Sequence, residues 1–289
     1  MTDLRPRRSV LYMPGANERA LEKAKGIDAD ALILDLEDAV SPDSKADARD
    51  RVCAAVASGE YGHRELAIRI NGIGTEWHEA DMAAAAAAGP DAVLVPKVNS
   101  AAEVLQLVEA LEFNGAPAHT ALWAMIETPI ALLHAEEIAA AHERLTVIVM
   151  GTNDVVNETY GLHVPGRNPV VLASLSLSLL AARAAGKVIL DGVYNDVKNE
   201  EGFVAEAKQG REMGFDGKTL IHPSQVEPAN AAFGPSDDEI EHAKAMISAF
   251  EEAKAAGQGV VTFNNKMVEE LHVRDARRIL ASAEAIAAR

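Results

Sequence analysis

The sequence predicts an α/β fold: a closed (β/α)8 (TIM) barrel with a C-terminal helical lid extension. Three observations predict it. Eight short apolar runs alternate with helical stretches along most of the 289 residues. Side chains in these runs alternate between an all-apolar face and a mixed one. The polar members of the mixed face gather at the C-terminal ends of the runs, the end at which parallel barrels carry their sites.

The strands are read at Ser9–Met13, Ala31–Leu36, Leu66–Asn71, Ala92–Pro96, Ala121–Ile126, Thr146–Met150, Lys187–Leu190 and Lys218–Ile221. Helices are read between them, at Glu18–Lys25, Ser44–Val56, Trp77–Ala88, Ala101–Glu112, Ile130–Ala140, Val170–Ala185 and Glu200–Met213. In the second strand Leu32, Leu34 and Leu36 share the face expected against helices, whereas Ile33, Asp35 and Glu37 share the inward one. In the third, Leu66, Ile68 and Ile70 oppose Ala67, Arg69 and Asn71, which places Arg69 and Glu37 together at the mouth. A doubly wound open sheet is the competing topology. It calls for a Gly-rich turn after the first strand, and Met13-Pro14-Gly15-Ala16-Asn17 is a poor dinucleotide fingerprint.

Beyond the barrel, expected over 1–234, a second segment is expected over 235–289. Ser236-Asp237-Asp238-Glu239 reads as a capping box opening a helix to about Ala256, and Gly257-Gln258-Gly259 as its stop. A strand-like stretch from Val260 to Met267 with an Asn-Asn turn follows, and then a final helix from about Val268. This tail exceeds what a barrel needs; packing on a neighbouring subunit and covering the site are both open, and the pattern favours packing alone.

Composition narrows the function. With 48% hydrophobic residues the chain can fill a large core, and 27 basic against 44 acidic residues argue against nucleic acid and anionic membranes as partners. No apolar run reaches bilayer length and the first residues lack a secretory signal, so a cytoplasmic location is expected. Cys53 is the only cysteine, which rules out an internal disulfide and a multi-cysteine zinc site; its helical setting suggests inert packing. Histidine-zinc patterns and a Gly-x-Ser-x-Gly nucleophile motif are missing. His222, after the eighth strand, is read as a structural hydrogen-bonding group. Arg5, Arg7, Arg8, Arg19, Lys23 and Lys25 form a basic N-terminal cluster, as compatible with solvated surface as with anion binding.

Three charged residues terminate or interrupt apolar strands: Arg69, Glu127 and Asp154. Such groups are costly to bury unless paired or bound to an ion. Glu127 and Asp154 come from the ends of neighbouring strands, roughly 4.8 Å apart in a sheet, a separation one ion can bridge. All-oxygen ligation favours Mg2+ over zinc. For Asp154 alone, helix or loop capping is an equal alternative; for Arg69, an internal ion pair with Glu37 or Asp38 is compatible with substrate binding.

These residues sit in words that resemble a known family. Arg8-Ser9-Val10-Leu11-Tyr12-Met13-Pro14-Gly15, Leu34-Asp35-Leu36-Glu37-Asp38-Ala39-Val40, Ile68-Arg69-Ile70-Asn71, Val95-Pro96-Lys97, Ile126-Glu127-Thr128-Pro129, Gly151-Thr152-Asn153-Asp154 and Gly217-Lys218-Thr219-Leu220-Ile221-His222-Pro223 are similar to the citrate lyase beta subunit and malyl-CoA lyase family. The resemblance covers nearly the whole chain. It implies a Mg2+-dependent barrel acting on acyl-CoA or acyl-carrier thioesters, with Glu127 and Asp154 as metal ligands and Arg69 holding a substrate oxygen. It implies catalytic neighbours in Glu37 and Asp38, and CoA contacts from Arg8, Arg19 and Lys23. It further implies a homotrimer or hexamer in which the C-terminal segment of one subunit closes over the next subunit's site. In many relatives that segment carries a catalytic aspartate in Lys-Met-Ile-Asp; here Lys266-Met267-Val268-Glu269 stands in its place, with Glu269 as the lid acid. The expected activities are cleavage of malyl-CoA or citramalyl-CoA to an oxo-acid and acetyl-CoA, or hydrolysis of (3S)-malyl-CoA. A citrate lyase beta subunit acting on a carrier-bound citryl group is the alternative within the family, and a non-catalytic scaffold the alternative outside it.

Overall fold

The computed structural model describes residues 5–256, 261–264 and 266–289. It divides into two compact units, Arg7–Ala232 and Phe233–Arg289 together with the residues before Arg7.

In the larger unit eight parallel strands close into a barrel in sequence order: β1 (Ser9–Pro14), β2 (Ala31–Asp35), β3 (Glu65–Arg69), β4 (Ala92–Val95), β5 (Ala121–Ile126), β6 (Leu145–Met150), β7 (Val188–Asp191) and β8 (Gly217–Leu220). Val10 pairs with Thr219 to join the last strand to the first, which excludes the open doubly wound sheet. Between the strands run α1 (Glu18–Ala24), α2 (Lys45–Ala57), α3 (His78–Ala88), α4 (Ala101–Phe113), α5 (Pro129–Leu133), α6 (Ala135–Ala140), α7 (Thr152–Glu158), α8 (Pro169–Ala184) and α9 (Glu200–Met213). α10 (Val226–Phe233) follows β8.

The alternation seen in the strands sets the barrel interior. Val10, Ile33, Ala67, Leu94, Trp123, Met125 and Val149 form one buried cluster on the inward face. Continuing that period of two toward the C-terminal ends gives Asp35, Arg69 and Glu127 as the next inward positions. The parity prediction fails one step later. Asn71 lies beyond the end of β3, and its amide turns away to Asp81 of α3 at 2.6 Å and to the Leu36 carbonyl at 3.0 Å. Once the ladder ends, strand periodicity no longer controls direction. The opposite end of the barrel is closed by ion pairs: Arg7 with Glu65 and Arg8 with Asp30, the Arg7 guanidinium lying 5.7 Å from the Trp123 ring centre.

Two helical features depart from the reading. The stretch 130–140 is two helices, broken at His134, whose ring bonds the Asn99 carbonyl at 3.1 Å. The helix α7, which opens at Asp154's own turn, was not read at all; its seven residues are too short for a periodic signal.

The smaller unit holds α11 (Asp237–Ala255), the antiparallel strands β9 (Val261–Phe263) and β10 (Lys266–Val268), and α12 (Glu270–Ala287). The Ser236 capping box is present, with Glu239 N–H donating to Ser236 Oγ at 3.2 Å and Ser236 N–H to Glu239 Oε2 at 2.8 Å. Val261, Val268 and Val273 pack with Met246, Ile247 and Phe250 between the two long helices. The expected helix stop at Gly257-Gln258-Gly259, the strand start at Val260 and the second Asn of the turn lie outside the described residues.

Candidate active site

The mouth of the barrel is built from strand ends. β2 and β3 pair with Asp35 opposite Arg69, and there the two side chains meet. Arg69 Nε and Nη2 donate to Asp35 Oδ1 and Oδ2 at 2.6 and 2.7 Å, a two-pronged pair that fixes the guanidinium plane. Asp35 is itself held by the backbone N–H groups of Glu37 and Ala39. The Nη1 end of Arg69 faces Glu37 at 2.6 Å and Asp38 at 3.7 Å. The Glu37 contact is close in distance yet poorly aligned, since Glu37 Oε2 is buried without a hydrogen-bond partner. Nη1 therefore keeps donors for a ligand oxygen. Below it, the Tyr12 ring centre lies 4.8 Å from the guanidinium carbon. Burial disfavours the Arg69 charge, but Asp35 more than offsets it, so the group is held well above its ordinary range.

Glu127 follows β5 and is almost fully buried. Its Oε1 accepts the Lys97 N–H at 2.9 Å. Its Oε2 lies against Gly151, where any side chain would put a Cβ 2.1 Å away; only glycine leaves room for the carboxylate. Three residues on, Asp154 stands in the first turn of α7 with Lys97 Nζ at 3.5 Å from Oδ1. The capping alternative does not hold for Asp154, since Gly151 is the N-cap of α7; after Glu127 it is Thr128 that caps α5. Burial, reinforced by the Asp154 and Glu37 carboxylates, pushes the Glu127 carboxyl up to about 8. Glu37 is also raised, by burial first.

Five carboxylates (Asp35, Glu37, Asp38, Glu127 and Asp154) thus share the mouth with three cations, Arg69, Lys97 and the buried Lys45, whose ammonium bonds the Leu36 and Glu37 carbonyls behind it. The excess of negative charge fits a divalent ion. Among the described residues no three His, Cys, Asp or Glu side chains group with metal-binding spacing. Glu127 and Asp154 would therefore share such an ion with water and substrate oxygens, the usual habit of Mg2+.

The structure brings together Arg69, Glu37, Asp38, Glu127 and Asp154. It does not bring Arg8 to them. Arg8 precedes β1, so it lies at the far end of the barrel, locked to Asp30 at 2.9 Å. The expectation of a CoA contact there is corrected: the charge is spent on closing the barrel floor. Arg19 and Lys23 are exposed on α1, which leaves the mouth end of β1. Glu269 is exposed directly before α12, its N–H donating to His272 Nδ1 at 3.0 Å. His222 plays the structural part expected of it, accepting the Ser224 N–H. Two members of the mouth were missed. Asp35 lies on the inward face of β2, and strand register with Arg69 was the signal; for Lys97 the signal was its place after β4 in Val95-Pro96-Lys97, one of the stretches that resemble the family.

A closed parallel barrel with a buried arginine and a surplus of carboxylates at its C-terminal mouth defines a class of enzymes that handle oxygen-rich substrates with a cation. The chain belongs to the HpcH/HpaI aldolase/citrate lyase family, whose model matches residues 8–223. It is 54% identical over 283 residues to a (3S)-malyl-CoA thioesterase of Cereibacter sphaeroides, covering 98% of this chain and 96% of that protein. It is 38% identical over 285 residues to the citrate lyase subunit beta of Escherichia coli, covering 97% and 94%. Among solved structures it is similar to the protein CitE from Mycobacterium tuberculosis in complex with magnesium, acetoacetate and coenzyme A, with a TM-score of 0.78, 30% identity, and coverage of 96% of this chain and 97% of that one.

Proposed function

We propose that the chain is a Mg2+-dependent enzyme of short 3-hydroxyacyl-CoA thioesters, hydrolysing (3S)-malyl-CoA to malate and CoA. The observation that carries it is the pairing of an Asp35-fixed Arg69 with the crowded Glu127 and Asp154 across one mouth. The 54% likeness to a (3S)-malyl-CoA thioesterase supports the substrate and the reaction. The magnesium and coenzyme A bound by the CitE neighbour support the cation and the thioester.

Glu127 and Asp154 would hold the cation. When bound, Mg2+ supplies Lewis-acid polarisation of the substrate oxygens and neutralises charge that develops on them. Arg69, immobilised by Asp35 and propped on the Tyr12 ring, offers Nη1 to the malyl carboxylate or carbonyl oxygen without reorganising. Glu37, whose carboxyl is raised by burial, lies beside Arg69 Nη1 and helps fix the oxygen-binding end of the guanidinium. In hydrolysis water adds to the thioester carbonyl and the thiolate leaves as CoA. Glu269, from the C-terminal segment of a neighbouring copy in a homotrimer or hexamer, is assigned to orient that water and take its proton. The exposed Arg19 and Lys23 of α1 are assigned to the CoA phosphates.

Carbon–carbon cleavage to glyoxylate and acetyl-CoA is the second reading, favoured by the 38% likeness to citrate lyase subunit beta. There the hydroxyl proton is removed and the acetyl enolate is protonated by a lid acid. The burial of Glu127 and Glu37, each with its carboxyl pushed up, argues against a non-catalytic scaffold, since it costs stability unless a ligand relieves it. No described helix is long and apolar enough to cross a membrane. Incubation with (3S)-malyl-CoA and Mg2+ decides: malate with free CoA is expected, glyoxylate with acetyl-CoA would make the enzyme a lyase, and no turnover, or turnover unaffected by EDTA, would overturn the proposal.

A further inference from the structure

Lys97 has three properties that the proposed chemistry leaves unused. Its backbone adopts φ 53°, in the left-handed region that residues with a side chain seldom enter. That conformation aims its N–H at Glu127 Oε1, 2.9 Å away. Its ammonium reaches across to the other proposed ligand, 3.5 Å from Asp154 Oδ1. One residue thus touches both acids of the cation site, one through the main chain and one through the side chain. The two contacts differ in kind. The N–H is part of a packed backbone, whereas the side chain is 46% exposed and sits on a long flexible stem.

We infer that Lys97 is a built-in stand-in for the divalent cation: its ammonium neutralises Asp154 while the site is empty and is displaced when Mg2+ arrives, whereas its N–H keeps Glu127 aimed in both states. Two carboxylates beside Glu37 repel one another, and a site left without any cation would splay. An ammonium tethered next to Asp154 limits that repulsion, and it must give way when a dication competes for the same oxygen. The displaced side chain stays at the mouth as a positive group facing an anionic acyl-CoA. Lys97 is a positioning residue in this account, acting through Asp154 and Glu127. The inference rests on the metal reading above.

The test is Mg2+ binding to the metal-free, substrate-free protein, followed by calorimetry and by the rise in Tm on adding Mg2+. Wild type is expected to bind, and Glu127→Gln to bind far more weakly. Lys97→Met removes the competitor and is expected to bind Mg2+ about two- to fivefold tighter, the range of a half-exposed ion pair. Lys97→Gly, which takes up the left-handed backbone without strain and retains the N–H, is expected to show the same gain, and it replaces Lys97→Met should that variant fail to fold. The metal-free Tm of both falls relative to wild type, and the Mg2+-saturated Tm falls less. Equal or weaker Mg2+ affinity in the Gly variant would overturn the stand-in role. If wild type itself binds no Mg2+, the metal reading fails instead, so the two failures are distinct.

Discussion

Two charged networks lie at the strand ends of this barrel and differ in their balance. On the β7–β8 side, Lys218 Nζ lies 2.9 Å from Asp191 Oδ2 and 2.8 Å from Glu206 Oε1, and Arg167 Nη2 lies 2.6 and 3.0 Å from the same two acids. Two cations meet two carboxylates, and Lys218 also donates to the Gly192 carbonyl. Although burial works against its charge, Lys218 and Arg167 hold the Asp191 carboxyl below its ordinary range. On the β2–β6 side, five carboxylates meet three cations, Arg69, Lys97 and Lys45, and Glu127 is pushed the opposite way, to about 8. The first network is balanced in charge within the fold, and only Arg167 Nη1 is left buried without a hydrogen-bond partner. The second keeps an excess of negative charge that an added cation would balance, and that difference separates a structural cluster from a binding site.

The sharpest break between the two comes from deleting one acid from each. Asp191→Asn leaves Lys218 buried with a partner lost, and is expected to cost about 3–5 kcal/mol in denaturant unfolding. Because the Asp191 pKa is depressed, its contribution is fully present above the ordinary value of 3.8 and disappears as pH falls through the lower folded value. The wild-type advantage over Asp191→Asn should therefore hold at neutral pH and shrink only in strong acid. A constant difference down to pH 2 would show that the charge is not what stabilises the cluster.

Arg69→Lys comes next. It loses the two-pronged grip of Asp35, so kcat/KM is expected to fall about a hundredfold while the fold survives. An effect confined to stability, with turnover per folded molecule intact, would move Arg69 into the structural class with Arg167. Glu127→Gln should then do the reverse of Asp191→Asn. It abolishes Mg2+-dependent turnover yet stabilises the metal-free protein by on the order of 1 kcal/mol, because a raised carboxyl pKa marks a charge the empty site resists. A destabilised metal-free variant would break the contrast. The smallest effect concerns the role proposed for Glu269. Mixed oligomers of Arg69→Lys and Glu269→Gln should regain part of the activity each lacks alone, provided the acid comes from a neighbouring copy; no recovery would confine each site to its own chain.

Much of the barrel was legible because its interior is periodic. Ile33, Ala67, Trp123 and Met125 alternate with outward residues, and one further step of two reaches Asp35, Arg69 and Glu127. The reading stopped where the ladder stopped. Asn71 and α7 lie past strand ends, where hydrogen bonds to Asp81 or a seven-residue helix set direction in place of a repeat. Arg8 is different: its place just before β1 already puts it at the N-terminal end of the barrel, away from the mouth, and Asp30 claims it at the floor.

By itself, then, the order of residues determined that eight strands would close around an apolar interior and that Arg69, Glu127 and Asp154 would reach one rim. Those are consequences of local period and of parallel connection. Which acid would clamp Arg69, which backbone N–H would aim at Glu127, and which cation would sit on Asp154 were decided only by tertiary contact. Asp35, Lys97 and Gly151 reach the site from β2 and from the loops after β4 and β6. Distances between separate strands depend on how the whole barrel closes, and no local sequence pattern encodes them.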